Sequence, residues 1–460
     1  MTPNRSLELS SQIQNLMRGN ILQFIQPIFP VEVLANYQAA SSSQDSSKKY
    51  PQRRDRVYNS ENTLLTMILT ALHEDKSLQN SVNIIQQIFN KNIEKVIKYA
   101  EEQTEKEKED DLRKQTKKKA GRPKLYKPRI PKSKLQPISS NTAAYSKARK
   151  RLDYGLIEEV FEKTKDFSDL TKNHKWNSRE VFLTDGTYFQ MQDTEELQEK
   201  YRVKTNKDDL PTGYPQGLLQ VIIKQGIGSV YTYKIGSRHQ SELELLLPLI
   251  EKIPAKSLLL ADDLYNTYAI FSLLRQRDID IIVPGKRKRN YKVIRRISDG
   301  DEIVEISRTA RPAWLPKGYE LPPKIILRRI SYSDSENPKK KHILYTSILD
   351  ESIKKIDIII KYITRWDIEI TIREVKTLMG INIARSKTED MVFKEFMVVL
   401  IAYNLIRKVI VQSSGETAFS PKADIIQKYI EINKTALVDK KGRLYNKWST
   451  GRIPKAGIAS

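Results

Sequence analysis

The chain of 460 residues contains no cysteine. Disulfides, thiolate zinc sites and cysteine nucleophiles are excluded together. Histidine is scarce as well: His73, His174, His239 and His342 are scattered and show no ligand spacing. Any metal must therefore rest on carboxylates, which suits Mg²⁺ or Mn²⁺ better than zinc. The N-terminus lacks a charged-then-apolar signal pattern. No apolar run reaches membrane-spanning length, and candidates such as Phe396 to Leu405 are too short. These absences predict a cytoplasmic protein with no membrane partner. Acidic residues are in deficit, with 56 Asp+Glu against 80 Lys+Arg and a net charge of +24. A polyanionic partner follows, because each cation placed on a phosphate releases counterions. That favours a nucleic acid and a place in the cytoplasm or nucleoid of a cell. The 39% of hydrophobic residues supports a real core, and the length suffices for about two to four domains.

The N-terminal stretch reads as helical. Leu64, Leu65, Met67, Ile68, Leu69 and Leu72 recur at helical spacing after Asn59-Ser60-Glu61-Asn62, which offers a cap. The Ser-rich run Ala40 to Ser47 reads as a joint, and residues 101–114 are densely charged. Residues 117–134 hold many cations and three prolines, so they form a basic linker and no regular helix. Within it, Gly121-Arg122-Pro123-Lys124 resembles an AT-hook core, with Ala120 where that motif has its first Arg. Arg122 and Lys124 then read either as a phosphate clamp or as a solvated linker.

From Arg179 the pattern changes to strands: Val181 to Thr184, Gln220 to Ile223, Val230 to Ile235, Ser257 to Ala261 and Ile279 to Val283. Helices are expected at Ser241 to Ile253 and Thr267 to Arg277. A strand hairpin followed by alternating helices and strands predicts a mixed α/β sheet. Residues 286–341 are basic, Pro-rich and β-like, with Trp314 in the middle, and read as an insertion. His342 to Ser347 resumes a strand, and a long helix is expected from Glu351.

That helix carries the most informative stretch, Tyr362 to Lys376. Tyr362, Arg365, Glu369, Arg373 and Lys376 fall in a narrow arc if each residue turns by about 100°. One carboxylate among cations and a phenol can grip a divalent cation while its neighbours grip phosphates. Two aspartates stand at strand ends, Asp185 in Leu183-Thr-Asp-Gly-Thr-Tyr188 and Asp262 in Leu260-Ala-Asp-Asp-Leu-Tyr265. Read alone, Asp185-Gly186 is a common turn pair and Asp262-Asp263 a candidate N-cap pair. Read with Glu369, they make a triad able to share two Mg²⁺ ions for phosphoryl transfer.

The spacing of Tyr362, Arg365, Glu369 and Lys376 resembles the signature of the bacterial DDE transposases of the YREK group, the insertion-sequence family numbered four. Thr184-Asp185-Gly186-Thr187 is similar to that family's first acidic motif. Ala261-Asp262-Asp263-Leu264-Tyr265 is similar to an Ala-Asp-Arg-x-Tyr pattern, with Asp263 replacing the usual Arg, so Asp262 and Asp263 both stay open as the ligand. Arg385 to Thr388, Ala402 to Leu405, Tyr145 to Leu152 and Arg54 to Ile68 are also family-like, so the resemblance covers roughly residues 54–410.

The resemblance implies an RNase H-like mixed sheet with flanking helices, interrupted by a β-rich insertion, plus an N-terminal helical domain. The corresponding segments are 1–115, an N-terminal helical DNA-binding region; 116–178, a basic linker and helical connector; 179–285, the first part of the catalytic core; 286–341, the insertion; 342–414, the second part; and 415–460, a basic C-terminal region. It implies Asp185, Asp262 and Glu369 as ligands for Mg²⁺ or Mn²⁺, two per site. Tyr362, Arg365 and Lys376 are implied to hold phosphates, with Arg373 on the same side. Trp314 is either a stacking aromatic for a flipped base or the core of a small β-domain. The implied partners are transposon terminal inverted repeats and target DNA, with a homodimer in the synaptic complex. The implied reaction is cut-and-paste transposition through a hairpin intermediate. A nuclease of the same fold without strand transfer and a non-enzymatic DNA-binding derivative are the alternatives.

Overall fold

The computed structural model describes residues 57–73, 75–114, 139–171, 174–205, 211–285, 289–333 and 341–414. The Ser-rich joint, the AT-hook-like stretch with Arg122 and Lys124, and the C-terminal region from 415 lie outside them. The chain divides into two compact units between Ile157 and Glu158.

The first unit is helical. Helix α1 (Ser60–Leu72) starts at Asn59, whose side chain accepts from the Asn62 N–H at 2.8 Å. Such a cap satisfies a donor that the helix itself leaves unpaired. Leu64, Ile68 and Leu72, one turn apart, are fully buried. Helix α2 (Leu78–Lys114) runs on through the charged stretch. Its buried residues Val82 and Ile85 lie near its start, and Glu101, Glu102 and Glu105 are exposed. Helix α3 (Ala143–Arg151) supplies Tyr145, which packs on Tyr58 with ring centroids 5.5 Å apart. Helix α4 (Tyr154–Thr164) contains the point of division.

The second unit is built on a ten-stranded mixed sheet. Strand β1 (Lys175–Trp176) pairs with β2 (Arg179–Gln190). After α5 (Glu195–Tyr201) and the small ladder of β3 (Lys204–Thr205) and β4 (Pro211–Thr212) come β5 (Gln216–Lys224) and β6 (Ser229–Ser237). The turn between β5 and β6 uses Gly226 and Gly228 at φ 91° and 71°, values that favour glycine. Helix α6 (Glu242–Ile250), β7 (Leu258–Leu260), α7 (Tyr268–Gln276) and β8 (Asp280–Pro284) alternate. Strands β6, β5 and β2 are antiparallel neighbours, and β7 and β8 continue from β2 in parallel. This is the RNase H-like arrangement that the sequence implied.

Strands β9 (Lys292–Ser298), β10 (Asp301–Ser307) and β11 (Lys324–Ser333) come from the stretch read as an insertion. They extend the same sheet, because β12 (Lys341–Thr346) pairs with β8 on one side and with β11 on the other. Arg328 of β11 is buried and holds Asp301 with two bonds of 2.8 and 2.6 Å. It also donates to the Asp350 and Ile353 carbonyls at 2.9 Å. A buried guanidinium is tolerated when its donors are spent in this way.

Alternation along the strands gives the two faces different jobs. Phe182, Ile222, Leu259 and Ile281 share a face and form one core cluster with Leu246 and Leu249 of α6 and Phe271 and Leu274 of α7. The opposite face of β2, with Thr187 and Phe189, lies under helices from the C-terminal part of the unit. Helix α8 (Lys355–Ile363) begins four residues later than expected, since Asp350 caps a turn at Ser352. Helix α9 (Asp367–Arg373) follows a 3₁₀ turn, Thr364–Trp366, and leads into a π turn, Glu374–Leu378. Thr371 and Val375 line a small cleft together with Thr187, Leu219 and Val221. Helix α10 (Glu389–Ser414) packs Phe396 on Phe189, with centroids 4.2 Å apart. It fixes β6 through Asn404, which accepts from the Val230 N–H and donates to the Val230 carbonyl. Among the described residues no helix is long and apolar enough to cross a membrane.

Candidate active site

Asp185 sits inside β2, beyond the turn position expected from Asp-Gly. The strand continues because Asp185 pairs with Val221 and Gly186 with Gln220 on β5. On the other side the last parallel pair is Leu183 with Leu260, where β7 ends. Asp185 therefore borders the crevice that opens beyond β7. The chain leaving β7 places Asp262 at that crevice, as the cap of a 3₁₀ turn, accepting from the Leu264 N–H at 2.8 Å. Burial pushes the Asp185 carboxyl up to about 7. The Glu242 and Asp262 carboxylates push the same way, while the Gly186 N–H and Arg365 oppose them.

Arg365 is the centre of the site. Burial pushes its proton affinity down, but Tyr362, Glu369, Asp185 and Asp262 together hold it above the ordinary arginine value. Its guanidinium thus feels four groups from β2, the turn after β7 and the helical run. Glu369, one turn on, accepts from Arg365 at 3.3 Å. Burial pushes the Tyr362 phenol up to about 12, against the pull of Arg365 and with smaller pushes from Asp262 and Tyr332. Tyr332 lies on β11, so the strands read as an insertion reach this cluster.

The helical run is not the regular helix that the narrow arc assumed. Arg365 lies in the 3₁₀ turn and Lys376 in the π turn. The tighter and wider pitches rotate these side chains away from their ideal positions, and π turns recur where function needs a side chain re-aimed. Lys376 crosses to β2, donating to Thr187 Oγ1 at 3.0 Å and to the Tyr188 carbonyl at 3.1 Å. It therefore approaches from the side of β2 that carries Asp185. Arg373 is exposed and, among the described residues, makes no hydrogen bond or ion pair. The turn after it is anchored by buried Glu374, which accepts from Tyr403 Oη at 2.8 Å.

Trp314 is not part of this cluster. It packs against Leu247, Ala269, Leu273 and Leu315, beside Tyr319 and Leu321. Asp262 acts on both Asp185 and Arg365. A cleft lined by Asp193, Glu195, Gln198, Glu199, Arg202 and Tyr214 is a separate place and shares no residue with the cluster.

The donor chemistry fits a divalent cation. Asp185 and Asp262 offer oxygen ligands only, which hard cations prefer, and their repulsion with Glu242 is what a dication would remove. The fit is one of charge and not of preformed coordination. Among the described residues, no three carboxylate or imidazole groups already stand together at ligand distance. Glu369 is held by Arg365 and would have to exchange that partner.

Glu242 was not singled out by the sequence. Ser241-Glu242-Leu243-Glu244 reads as an ordinary helix start, and Ser241 does cap the Glu244 N–H. Acidic residues are common in a first turn because they complement the helix dipole, so this carboxylate is camouflaged. Its close approach to Gly186, from a helix packed on a strand, was not visible without the fold.

Comparison with known proteins bears on the same segments. Residues 176–405 match the family model described as Transposase DDE domain. Over 273 residues the chain is 27% identical to the Transposase InsG for insertion sequence element IS4 of Escherichia coli (strain K12), covering 58% of this chain and 60% of that protein. It is 24% identical over 180 residues to the Putative transposase InsZ of the same organism, covering 39% and 58%. The chain thus spans about three-fifths of the length of these curated relatives. A cryo-EM structure of a piggyBac transposase synaptic complex with hairpin DNA aligns with a TM-score of 0.40 and 11% identity, over 88% of this chain and 78% of that one. The family match takes in half of the chain, from β1 to α10, and with it Asp185, Asp262, Arg365 and Glu369: the chain belongs to the family of transposases with a DDE domain.

Proposed function

We propose that the chain is a DNA transposase that cuts transposon ends and joins the freed 3′-OH to target DNA. The observation that carries this reading is the convergence on Arg365. Two aspartates, one in β2 and one in the turn after β7, a glutamate and a phenol all act on one half-buried guanidinium. A structural salt bridge needs one carboxylate, not three.

In this reading Asp185, Asp262 and Glu369 hold Mg²⁺ or Mn²⁺, with two ions per site. Ions bound there would lower the proton affinity of an attacking oxygen and offset charge on the leaving oxygen. The protein's own groups do the positioning. Arg365 neutralises the carboxylates while the site is free of cation. Once a dication takes over that role, the guanidinium fork becomes available to a DNA phosphate, which it can hold bidentately. Lys376 makes the same exchange more easily, since its present partners are a hydroxyl and a carbonyl and a phosphate is the stronger acceptor. Tyr362 adds a hydroxyl that stays protonated at any physiological pH. Arg373 offers an exposed cation on the same helical run. The partners are terminal inverted repeats and target DNA, brought together by a homodimer, with a hairpin intermediate in a cut-and-paste reaction. The match to a transposase of an insertion sequence supports this assignment.

The test uses the inverted repeats flanking the gene. A labelled fragment ending in the repeat is incubated with the protein and Mg²⁺, beside Asp185→Ala, Asp262→Ala and Glu369→Ala. Nicks followed by hairpins and strand-transfer products are expected for the unsubstituted protein, with binding but no cleavage for each variant. Cleavage without strand transfer points to a nuclease. Cleavage at normal rates by any of the three variants removes that residue from the site.

A further inference from the structure

We propose that Glu242 is a positioning residue of this site, a fourth carboxylate that strengthens divalent-cation binding at Asp185 and Asp262. The inference rests on the functional reading above and deepens it.

The geometry around Glu242 is built from three elements. Its Oε2 accepts from Tyr265 Oη at 2.8 Å. Tyr265 Oη in turn accepts from Gln220 Nε2 at 2.7 Å, and the same amide nitrogen donates to Thr184 Oγ1 at 2.8 Å. Thr184, Gln220 and Tyr265 are all fully buried. Both bonds come from the Gln220 nitrogen, and among the described residues its Oε1 accepts none. The amide is therefore spent on aiming the phenol hydroxyl at Glu242. The relay starts on Thr184, the residue before Asp185, and Tyr265 lies three residues after Asp262, so both aspartate segments feed it.

Gly186 makes room for the carboxylate. A Cβ at Gly186 would stand 2.4 Å from Glu242 Cδ and 2.7 Å from Oε2. Backbone strain does not account for this glycine, because it lies within a paired strand. What requires it is the close approach of Glu242 to the backbone beside Asp185. A helix-start glutamate with only a local role would point into solvent. This one is half-buried, hydrogen-bonded by a phenol and pressed on the strand that carries the first aspartate. Its negative charge adds to the field at the crevice, and its contact with Gly186 fixes where Asp185 sits. Groups of this kind, one step behind the ligands, orient them and tune the metal.

The test is Mn²⁺ binding by the full chain without DNA, measured by calorimetry, with the unfolding midpoint read in EDTA and in saturating Mn²⁺. Glu242→Gln retains an acceptor for Tyr265 and removes a repulsion with Asp185, so it should unfold in EDTA at or above the wild-type midpoint. Its Mn²⁺ dissociation constant should rise about tenfold, the lower end of the range for groups that support metal ligands. Tyr265→Phe should raise it as well, by releasing the carboxylate, and it carries the test if Glu242→Gln does not fold. A purely structural role would instead lower the EDTA midpoint and leave Mn²⁺ affinity unchanged, which overturns the proposal. Asp185→Asn separates the two levels. If it abolishes Mn²⁺ binding while Glu242→Gln and Tyr265→Phe bind normally, only the role of Glu242 fails. If the wild type binds no Mn²⁺, or Asp185→Asn binds it normally, the cation reading itself fails.

Discussion

Replacing Asp185 by Asn should stabilise the cation-free protein at neutral pH, an unusual outcome for a residue placed at a reaction centre. Burial, and then Glu242 and Asp262, push the folded carboxyl up to about 7 from its ordinary 3.8. A raised carboxyl pKa means that the folded state keeps a proton that the unfolded chain has already lost. Below pH 3.8 the group is protonated in both states and makes no difference. Between 3.8 and 7 stability falls as pH rises, and above 7 the full penalty is present. One pKa unit corresponds to about 1.4 kcal/mol, so the shift sets a ceiling of about 4 kcal/mol. Relaxation of Glu242 and Asp262 should bring the measured effect below that ceiling. Asn removes the charge, keeps the size and can still accept from the Gly186 N–H. The assay is urea unfolding of the wild type and Asp185→Asn in EDTA at pH 4, 6 and 8. The variant should match the wild type at pH 4 and exceed it at pH 8, and saturating Mg²⁺ should stabilise the wild type alone. Equal stability at pH 8, or an advantage that persists undiminished at pH 4, would refute the proposed repulsion.

Arg365→Lys keeps the charge and loses the fork, so single-turnover cleavage should fall by at least about tenfold, the effect of roughly 1.4 kcal/mol in transition-state positioning; a wild-type rate would argue against bidentate phosphate contact. Lys376→Ala should slow cleavage similarly while lowering unfolding stability by no more than about 1 kcal/mol, because only neutral, partly exposed acceptors are lost; a large stability loss with normal cleavage would make it a structural tie between β2 and the π turn. Arg328→Ala should destabilise the sheet unit by about 3–5 kcal/mol through the buried charge left on Asp301, and Asp301→Asn in the same background should recover part of it. Failure of that recovery in a double-mutant cycle would show that the backbone carbonyls, and not Asp301, account for the cost.

The sequence by itself narrowed the candidate chemistry. Absent cysteine and scattered histidine left carboxylates as the candidate donors for any metal. The hydrophobic runs marked the core strands and helices, because burial of a period-2 or period-3.6 face leaves a local trace. Asn59 and Thr267 announced their helices because capping is a contact between residues two or three apart. Tyr362, Arg365 and Glu369 were legible for the same reason, being within two turns of one helical run.

Tertiary structure decided what local spacing cannot carry. It placed Asp262 where its charge reaches both Asp185 and Arg365, since the direction of a side chain after a strand depends on the turn that follows. It carried β2 through Asp185 and Gly186, because β5 supplies pairing on one side even where β7 has stopped. It made one sheet of the core and the stretch read as an insertion, a consequence of long-range pairing through β12. It rotated Lys376 onto β2 by a change of helical pitch that composition does not announce. Above all it brought Glu242 to Gly186. That contact joins a helix start to a strand glycine 56 positions earlier, and only the packing of α6 on the sheet creates it.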